Sequence, residues 1–174
     1  MKQALINAFN NDILNCLVET KDTLIEIFDC YDCDPVQQKS YIRTQSTEPV
    51  HFTLNNPLAN DLIFAAIDNC ILLSNDPSRC DFAIGNFQKL YFVEVKQVKK
   101  SQRAAARNTA IGQLHASISL FRTKIDLLNT KLIAVICLKA KQAHPLQNAK
   151  KIADAVAFKT NYNADLMEGQ EHTF

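Results

Sequence analysis

An apolar run near the end of the chain most constrains its fold. Residues Lys131–Leu138 read KLIAVICL, and within this run every residue after Lys131 is apolar. Such a run is typical of a strand that is buried on both faces, as in parallel sheets covered by helices. A helix is predicted before it, over residues 101–127, because apolar residues recur there at helical spacing, namely Ile111, Leu114, Ile118, Phe121 and Ile125. A further helix is predicted after it, over residues 146–158.

The rest of the chain is predicted to form further short elements. Helical spacing predicts a helix over residues 2–18, and β-forming residues predict strands within residues 21–31, 41–44 and 50–54. Residues 56–75 are predicted as a helix that Pro57 begins, followed by a loop at 74–78. Strands 81–85 and 89–98 are expected to meet at a tight turn, and the polar tail from Thr160 is expected to be loose.

This pattern predicts an α/β fold with a central mixed sheet flanked by helices. A length of 174 residues suits one domain, residues 1–174. Within it we expect an N-terminal helix and strand extension at 1–55, a core at 56–140, and a C-terminal helix and tail at 141–174.

The chain lacks an apolar run long enough to span a membrane and lacks the apolar block of a signal peptide. We therefore expect a cytoplasmic protein with reduced thiols. Cys16, Cys70 and Cys137 lie in apolar stretches, where free cysteine behaves as a small hydrophobe. Cys30 and Cys33 form a lone C-x-x-C, which is too few ligands for a zinc site.

The two predicted strands around residue 90 bring charged side chains together. Glu94 and Lys96 are two residues apart on a strand, so their side chains leave the same face. A two-residue turn at Phe87 and Gln88 would place Asp81 opposite Glu94, and two facing carboxylates call for a compensating cation. Mg²⁺ (or Mn²⁺) suits such a pair.

The remaining parts of such a metal site follow from the same strand. The main-chain carbonyl of Val95 could add an oxygen ligand, and the Lys96 ammonium could orient a water or stabilise charge on a phosphate. The pattern therefore favours phosphodiester hydrolysis.

Charge is unevenly divided along the chain. Residues 1–95 contain 6 Lys and Arg against 13 Asp and Glu, and residues 96–174 contain 13 against 5. Four basic residues directly follow the predicted site and are interpreted as phosphate contacts that position a nucleic acid, namely Lys99, Lys100, Arg103 and Arg107. An ordinary solvated charged face is the alternative interpretation of each one.

The stretch RCDFAI…YFVEVK, followed by Gly112-Gln113-Leu114 on the next helix, resembles the PD-(D/E)XK superfamily of restriction-endonuclease-like nucleases. The resemblance covers residues 57–138 and implies an α-β-β-β-α-β core. It implies a divalent-metal-dependent nuclease acting on DNA, or less often RNA, with four site residues: Asp81, Glu94, Lys96 and Gln113. Cys80 stands where the name-giving Pro would be.

Several alternatives stay open at this point. Gln113 either contacts the reacting water or phosphate, or is a solvated helical residue. Asp61 or Asp68, on the predicted helix before Asp81, could add a carboxylate. The chain could instead be a catalytically inactive nuclease-like binding or immunity-type protein, or a nucleic-acid-binding domain that uses only its basic stretch. Homodimerisation is also left open.

Overall fold

The computed structural model describes residues 1–30, 33, 38–73, 78–138 and 149–174. Six strands form a mixed sheet in the order β1-β5-β6-β7-β8-β9, and four strands form a second sheet in the order β10-β4-β2-β3. The helices are α1 (Lys2–Phe9), α2 (Arg103–Lys124) and α3 (Ala149–Tyr162), and the strands are β1 (Leu17–Thr20), β2 (Leu24–Asp29), β3 (Ser40–Ile42), β4 (Phe52–Asn55), β5 (Leu62–Ala66), β6 (Phe82–Gly85), β7 (Lys89–Lys96), β8 (Lys131–Leu138), β9 (Ala164–Glu168) and β10 (Glu171–Thr173).

The six-stranded sheet combines an antiparallel half and a parallel half. The pairs β1–β5, β5–β6 and β6–β7 are antiparallel. The pairs β7–β8 and β8–β9 are parallel. Helix α2 connects β7 to β8, and α3 precedes β9, as parallel pairing requires a crossover. The α/β class and the mixed sheet are therefore confirmed, and β8 has the predicted bounds.

Different layers cover the two faces of this sheet. Alternate β7 residues Leu90 and Phe92 face a core that α1, α2 and α3 complete. The residues between them, Tyr91 and Val93, face a second core that the four-stranded sheet completes. Helices thus cover one face, while strands cover the other, where helices were also expected.

The predicted helix at residues 56–75 is wrong, because β5 occupies its centre. The side-chain oxygen of Asn56 accepts hydrogen bonds from the main-chain and side-chain N–H groups of Asn60, both at 3.0 Å, which forms a turn. The apolar run that follows is buried throughout β5. A short continuous apolar run has the same appearance in a buried helix and a buried strand, so periodicity alone misassigned it. The predicted loop at 74–78 lies outside the described residues except for Ser78.

Both ends of the chain differ from their predictions. Helix α1 ends at Phe9, where Asn10 has a φ of 77°, and a 3-10 turn (Asn11–Cys16) leads into β1 rather than continuing the helix to residue 18. The predicted loose tail is wrong, since β9 pairs with β8 and β10 pairs with β4. The predicted start of the last helix at Leu146 lies outside the described residues.

Four of the cysteines are bonded in pairs, contrary to the expected reduced thiols. Cys16 and Cys70, with Cα atoms 5.6 Å apart, link the 3-10 turn to the segment after β5. Cys30 and Cys33 form the second pair. Cys137 is a free buried thiol, as expected.

None of the helices in the described ranges combines the length and apolarity needed to cross a bilayer.

Two glycines allow a matched test of this fold. Gly85 ends β6 with a φ of 152°, and a Cβ there would lie 2.1 Å from the carbonyl oxygen of Lys89. At Gly112, on the exposed face of α2, an added Cβ would meet nothing within 4 Å. We predict that Gly85→Ala lowers the free energy of unfolding by about 2 kcal/mol through backbone strain. Gly112→Ala should raise it by up to about 1 kcal/mol through helix propensity.

Urea unfolding followed by circular dichroism measures both glycine variants. Equal stability of the two would contradict the hairpin geometry described at Gly85.

Candidate active site

The predicted hairpin register is confirmed along β6 and changes at Asp81. Phe82 pairs with Val93, as a two-residue turn requires. The N–H of Asp81 also donates to the carbonyl of Val93, at 3.1 Å, so two residues of one strand oppose one of the other. This is a β-bulge, a feature that re-aims side chains at strand ends. Asp81 therefore does not sit directly opposite Glu94 as predicted.

The bulge holds Asp81 from three directions. Its carbonyl accepts hydrogen bonds from the N–H groups of Ile67 and Asp68, at 2.9 and 3.1 Å. Its carboxylate oxygen Oδ2 accepts the N–H of Val95 at 2.6 Å. The side chain thus takes the ladder position that a carbonyl would occupy and lies against β7 beside Glu94.

Glu94 is fully buried on the face of β7 that packs beneath α2. Its residue is 0% exposed, and neither carboxylate oxygen accepts a hydrogen bond of acceptable geometry from the described residues. Within the described part of the chain, its one charged contact is the Lys96 ammonium, whose Nζ lies 2.5 Å from Oε1. The predicted shared face of Glu94 and Lys96 is confirmed. A buried carboxylate with so few donors is costly, so the arrangement calls for a further electropositive partner.

Burial dominates the electrostatics of the pair. It raises the pKa of Glu94 to about 8, against the opposing effect of Lys96. Burial, followed by the charge of Glu94, raises the pKa of Asp81 well above its ordinary value, against the N–H of Val95. Both carboxyls therefore favour protonation until a cation compensates their charge.

Of the two acids suggested for the segment before Asp81, only Asp68 lies at this end of the sheet. It follows β5 and forms an ion pair with Arg79 at 2.5 Å. Asp61 precedes β5, is largely exposed, and pairs with Lys21 at 2.9 Å. A strand of this length separates its ends by roughly 15 Å, so Asp61 does not join the site.

Asp29, at the end of β2 in the second sheet, is a neighbour that sequence reasoning missed. Its charge contributes to the raised pKa of both Asp81 and Glu94. The local signal was its spacing from Ile25 and Ile27, which puts all three side chains on one face of a strand. No spacing within one strand shows that this face meets another sheet.

Gln113 lies on the face of α2 that meets the chain just before Asp81. Its Nε2 donates to the carbonyl of Arg79 at 2.9 Å, while its buried Oε1 has no hydrogen-bond partner among the residues that the structure describes. One turn further along α2, the hydroxyl of Ser117 accepts the N–H of Cys80 at 2.7 Å. These contacts anchor the segment that leads into the bulge. The predicted contact of Gln113 with water or phosphate stays a prediction.

The predicted basic group separates into exposed and buried members. Lys99 and Lys100 are exposed and Arg103 is half-buried, and none of the three forms an ion pair within the part of the chain that the structure describes. The prediction for Arg107 is wrong. Arg107 is buried and forms ion pairs with Asp154 on α3 and, at 2.5 Å, with Glu168 on β9.

Arg107 is buried because elements from the end of the chain pack beside α2. Its position shortly after the predicted site in the sequence made Arg107 look like a phosphate contact. Instead its guanidinium joins α2 to two later elements.

The available donors limit the metals that could bind. Among the described residues, no group of three or more His, Cys, Asp and Glu side chains is arranged to hold a metal ion. The two carboxylates of Asp81 and Glu94 fit a cation that takes few protein ligands and retains water, as Mg²⁺ does. The role of the Val95 carbonyl stays a prediction.

Comparisons of the chain with protein-family models, curated proteins and solved structures gave no match.

Substitution of Arg107 tests its structural role. Arg107→Ala should lower the free energy of unfolding by about 2 kcal/mol or more, because it removes the ion-pair partner of the partly buried Asp154 and leaves Glu168 paired with Lys151 but not with Arg107. The exposed Arg122 on the same helix is the control, and Arg122→Ala should change stability by less than about 0.5 kcal/mol. Equal effects of the two substitutions in urea unfolding would contradict the ion-pair assignment.

The raised pKa of Glu94 predicts a pH dependence of stability in metal-free buffer. Between about pH 4.5 and 8 the unfolded chain releases the Glu94 proton while the folded chain retains it. The folded state then binds more protons, so stability falls as pH rises through this window. Glu94→Gln should reduce the fall by at least about 1 kcal/mol, leaving the part that Asp81 contributes. If the free energy of unfolding falls with pH by the same amount in the wild type and in Glu94→Gln, the prediction is refuted.

Proposed function

We propose that this chain is a divalent-metal-dependent nuclease that hydrolyses phosphodiester bonds in DNA. The observation that carries the proposal is the buried Glu94 carboxylate at one end of the six-stranded sheet, which contacts the Lys96 ammonium but accepts no hydrogen bond of acceptable geometry from the described residues, with Asp81 held against the same strand. Few structural roles require two acids and an ammonium in a buried hairpin, whereas phosphoryl transfer uses all three.

Asp81 and Glu94 would hold the cation. Two buried carboxylates repel each other, and a divalent ion removes that repulsion while leaving coordination positions for water and phosphate oxygens. When bound, Mg²⁺ or Mn²⁺ would supply Lewis-acid chemistry that activates water and compensates charge on the phosphate. The bulge and the N–H of Val95 hold the Asp81 carboxylate against β7, beside Glu94.

Lys96 has a different role in each state of the site. Without a divalent ion, its ammonium is the cation that compensates Glu94. With the oxygens of Glu94 holding a divalent cation, Lys96 would contact the phosphate and stabilise the charge that develops there. Its side chain is 23% exposed, so it reaches the surface where a substrate would lie.

The order of elements supports a core of the PD-(D/E)XK type. Helix α1, strands β5, β6 and β7, helix α2 and strand β8 follow one another in the α-β-β-β-α-β order, with β1–β4 between the first helix and β5. Asp81 precedes the second of these strands, and Glu94 and Lys96 end the third. In this interpretation α1 takes the place of the helix that the sequence suggested at residues 56–75.

Basic residues next to the site support a polyanionic substrate. Lys99 and Lys100 are exposed just beyond the end of β7, and Arg103 begins α2. They would contact phosphates of the nucleic-acid backbone and hold the strand across Lys96.

Cleavage of plasmid DNA tests the proposal. The protein should nick or linearise plasmid in Mg²⁺ or Mn²⁺ and lose this activity in EDTA. Glu94→Gln and Lys96→Ala should each slow cleavage by at least about 100-fold, since each removes a charge that acts on the transition state. Lys124→Ala, at the far end of α2, is the matched lysine control and should cleave at the normal rate.

Linear, branched and single-stranded DNA, together with RNA, would define the substrate class. Absence of cleavage on every substrate, with a melting temperature that Mn²⁺ does not change, would overturn the proposal. Two interpretations would then remain, a catalytically inactive nuclease-like binding or immunity-type protein and a nucleic-acid-binding domain that uses only its basic stretch.

A further inference from the structure

Asp29 projects from the second sheet toward the end of the first. Ile25 and Ile27 face the core between the two sheets, and Asp29 is the next residue on the same face of β2. The buried Ser40, its partner on β3, donates its hydroxyl to Oδ1 of Asp29 at 2.9 Å. The carboxylate is therefore held in place by one oxygen, and the described residues make no hydrogen bond to the other.

A buried histidine connects Asp29 to the strand that carries Glu94 and Lys96. The N–H of Asp29 donates to Nδ1 of His51 at 3.1 Å. The Nε2 atom of the same ring lies 2.9 Å from the side-chain amide of Gln97, the residue after Lys96. His51 is 1% exposed, so this link is packed inside the protein. The end of β2 is thus fixed against the end of β7.

The charges at this junction are unbalanced. Asp29, Asp81 and Glu94 are three carboxylates, and Lys96 is the ammonium whose charge acts on all three. Asp68 has its own partner in Arg79. If all four central groups are ionised, three negative charges face one positive charge, and the excess equals the charge of one divalent cation.

Direct coordination by Asp29 is not supported, because the described residues contain no three-acid group arranged around a metal position. A carboxylate just outside the ligand set can still act through water, since Mg²⁺ and Mn²⁺ retain part of their hydration shell. Outer carboxylates of this kind orient the ligands and strengthen binding.

We propose that Asp29 is a positioning residue of the Asp81–Glu94 cation site, where its second carboxylate oxygen accepts a hydrogen bond from the hydration shell of the divalent cation. This inference rests on the proposed function. It makes the second sheet part of the site, because Asp29 ends β2.

Titration of the whole chain with Mn²⁺, followed by electron paramagnetic resonance of the free ion, tests this role without an activity assay. Asp29→Asn should weaken Mn²⁺ binding by about tenfold or more. Glu94→Gln should weaken it further, because it removes a direct ligand. Glu171→Gln, which removes one exposed negative charge from β10, should leave the affinity unchanged.

The outcomes separate the two proposals. If the wild type binds Mn²⁺, Glu94→Gln weakens binding, and Asp29→Asn binds like the wild type, the role of Asp29 is overturned while the cation site stands. If the wild type binds no Mn²⁺, the proposed cation site fails and the role of Asp29 fails with it. Near-UV circular dichroism verifies folding. Were Asp29→Asn to unfold, Asp29→Ser, which keeps a hydroxyl for Ser40, would carry the same comparison.

Discussion

The burial of the Glu94 carboxylate is the constraint on which the site depends. Transfer of a carboxylate from water into a protein interior is unfavourable unless hydrogen bonds or opposite charge compensate it. Here Lys96 alone contacts the charge, and both oxygens lack hydrogen bonds of acceptable geometry within the described chain. The surrounding layers must therefore be stable enough to hold it. The two apolar cores on either side of β7 supply that stability.

The bulge at Asp81 determines how the two acids meet. A regular ladder would have aimed the Asp81 side chain directly across the strand pair at Glu94, where two carboxylates repel each other. The bulge instead gives Asp81 the N–H of Val95 and leaves Glu94 on the face beneath α2. Each acid thus has a separate charged or polar partner, the N–H of Val95 for Asp81 and the Lys96 ammonium for Glu94. Gln113 and Ser117 hold the preceding segment, so α2 supports the bulge as well as the core.

Short-range pattern predicted the centre of this molecule well. The apolar run of β8 and the turn between β6 and β7 have local causes, namely continuous burial and the geometry of a two-residue connection. The predictions were wrong where contacts with segments distant in sequence determine the structure. The apolar residues 62–66 would suit a buried helix as well as a buried strand, and pairing with β1 and β6 makes them a strand. Arg107 was interpreted as a phosphate contact because it follows the predicted site, and β9, which carries its partner Glu168, could not be recognised in a polar tail.

Contact between segments that are distant in the sequence also explains why Asp29 was missed and why the first 55 residues matter to the site. In the sequence, β2 to β4 precede the predicted core and look like an addition to it, because that core already contains Asp81, Glu94 and Lys96. In the fold, their sheet covers one face of that core and carries a carboxylate to its charged end. Removal of these strands would expose an apolar sheet face and would also remove a negative charge from the site. The second sheet therefore both covers the core and places Asp29 at its charged end, and the physical link between the two sheets there is the buried contact of His51 with Asp29 and Gln97.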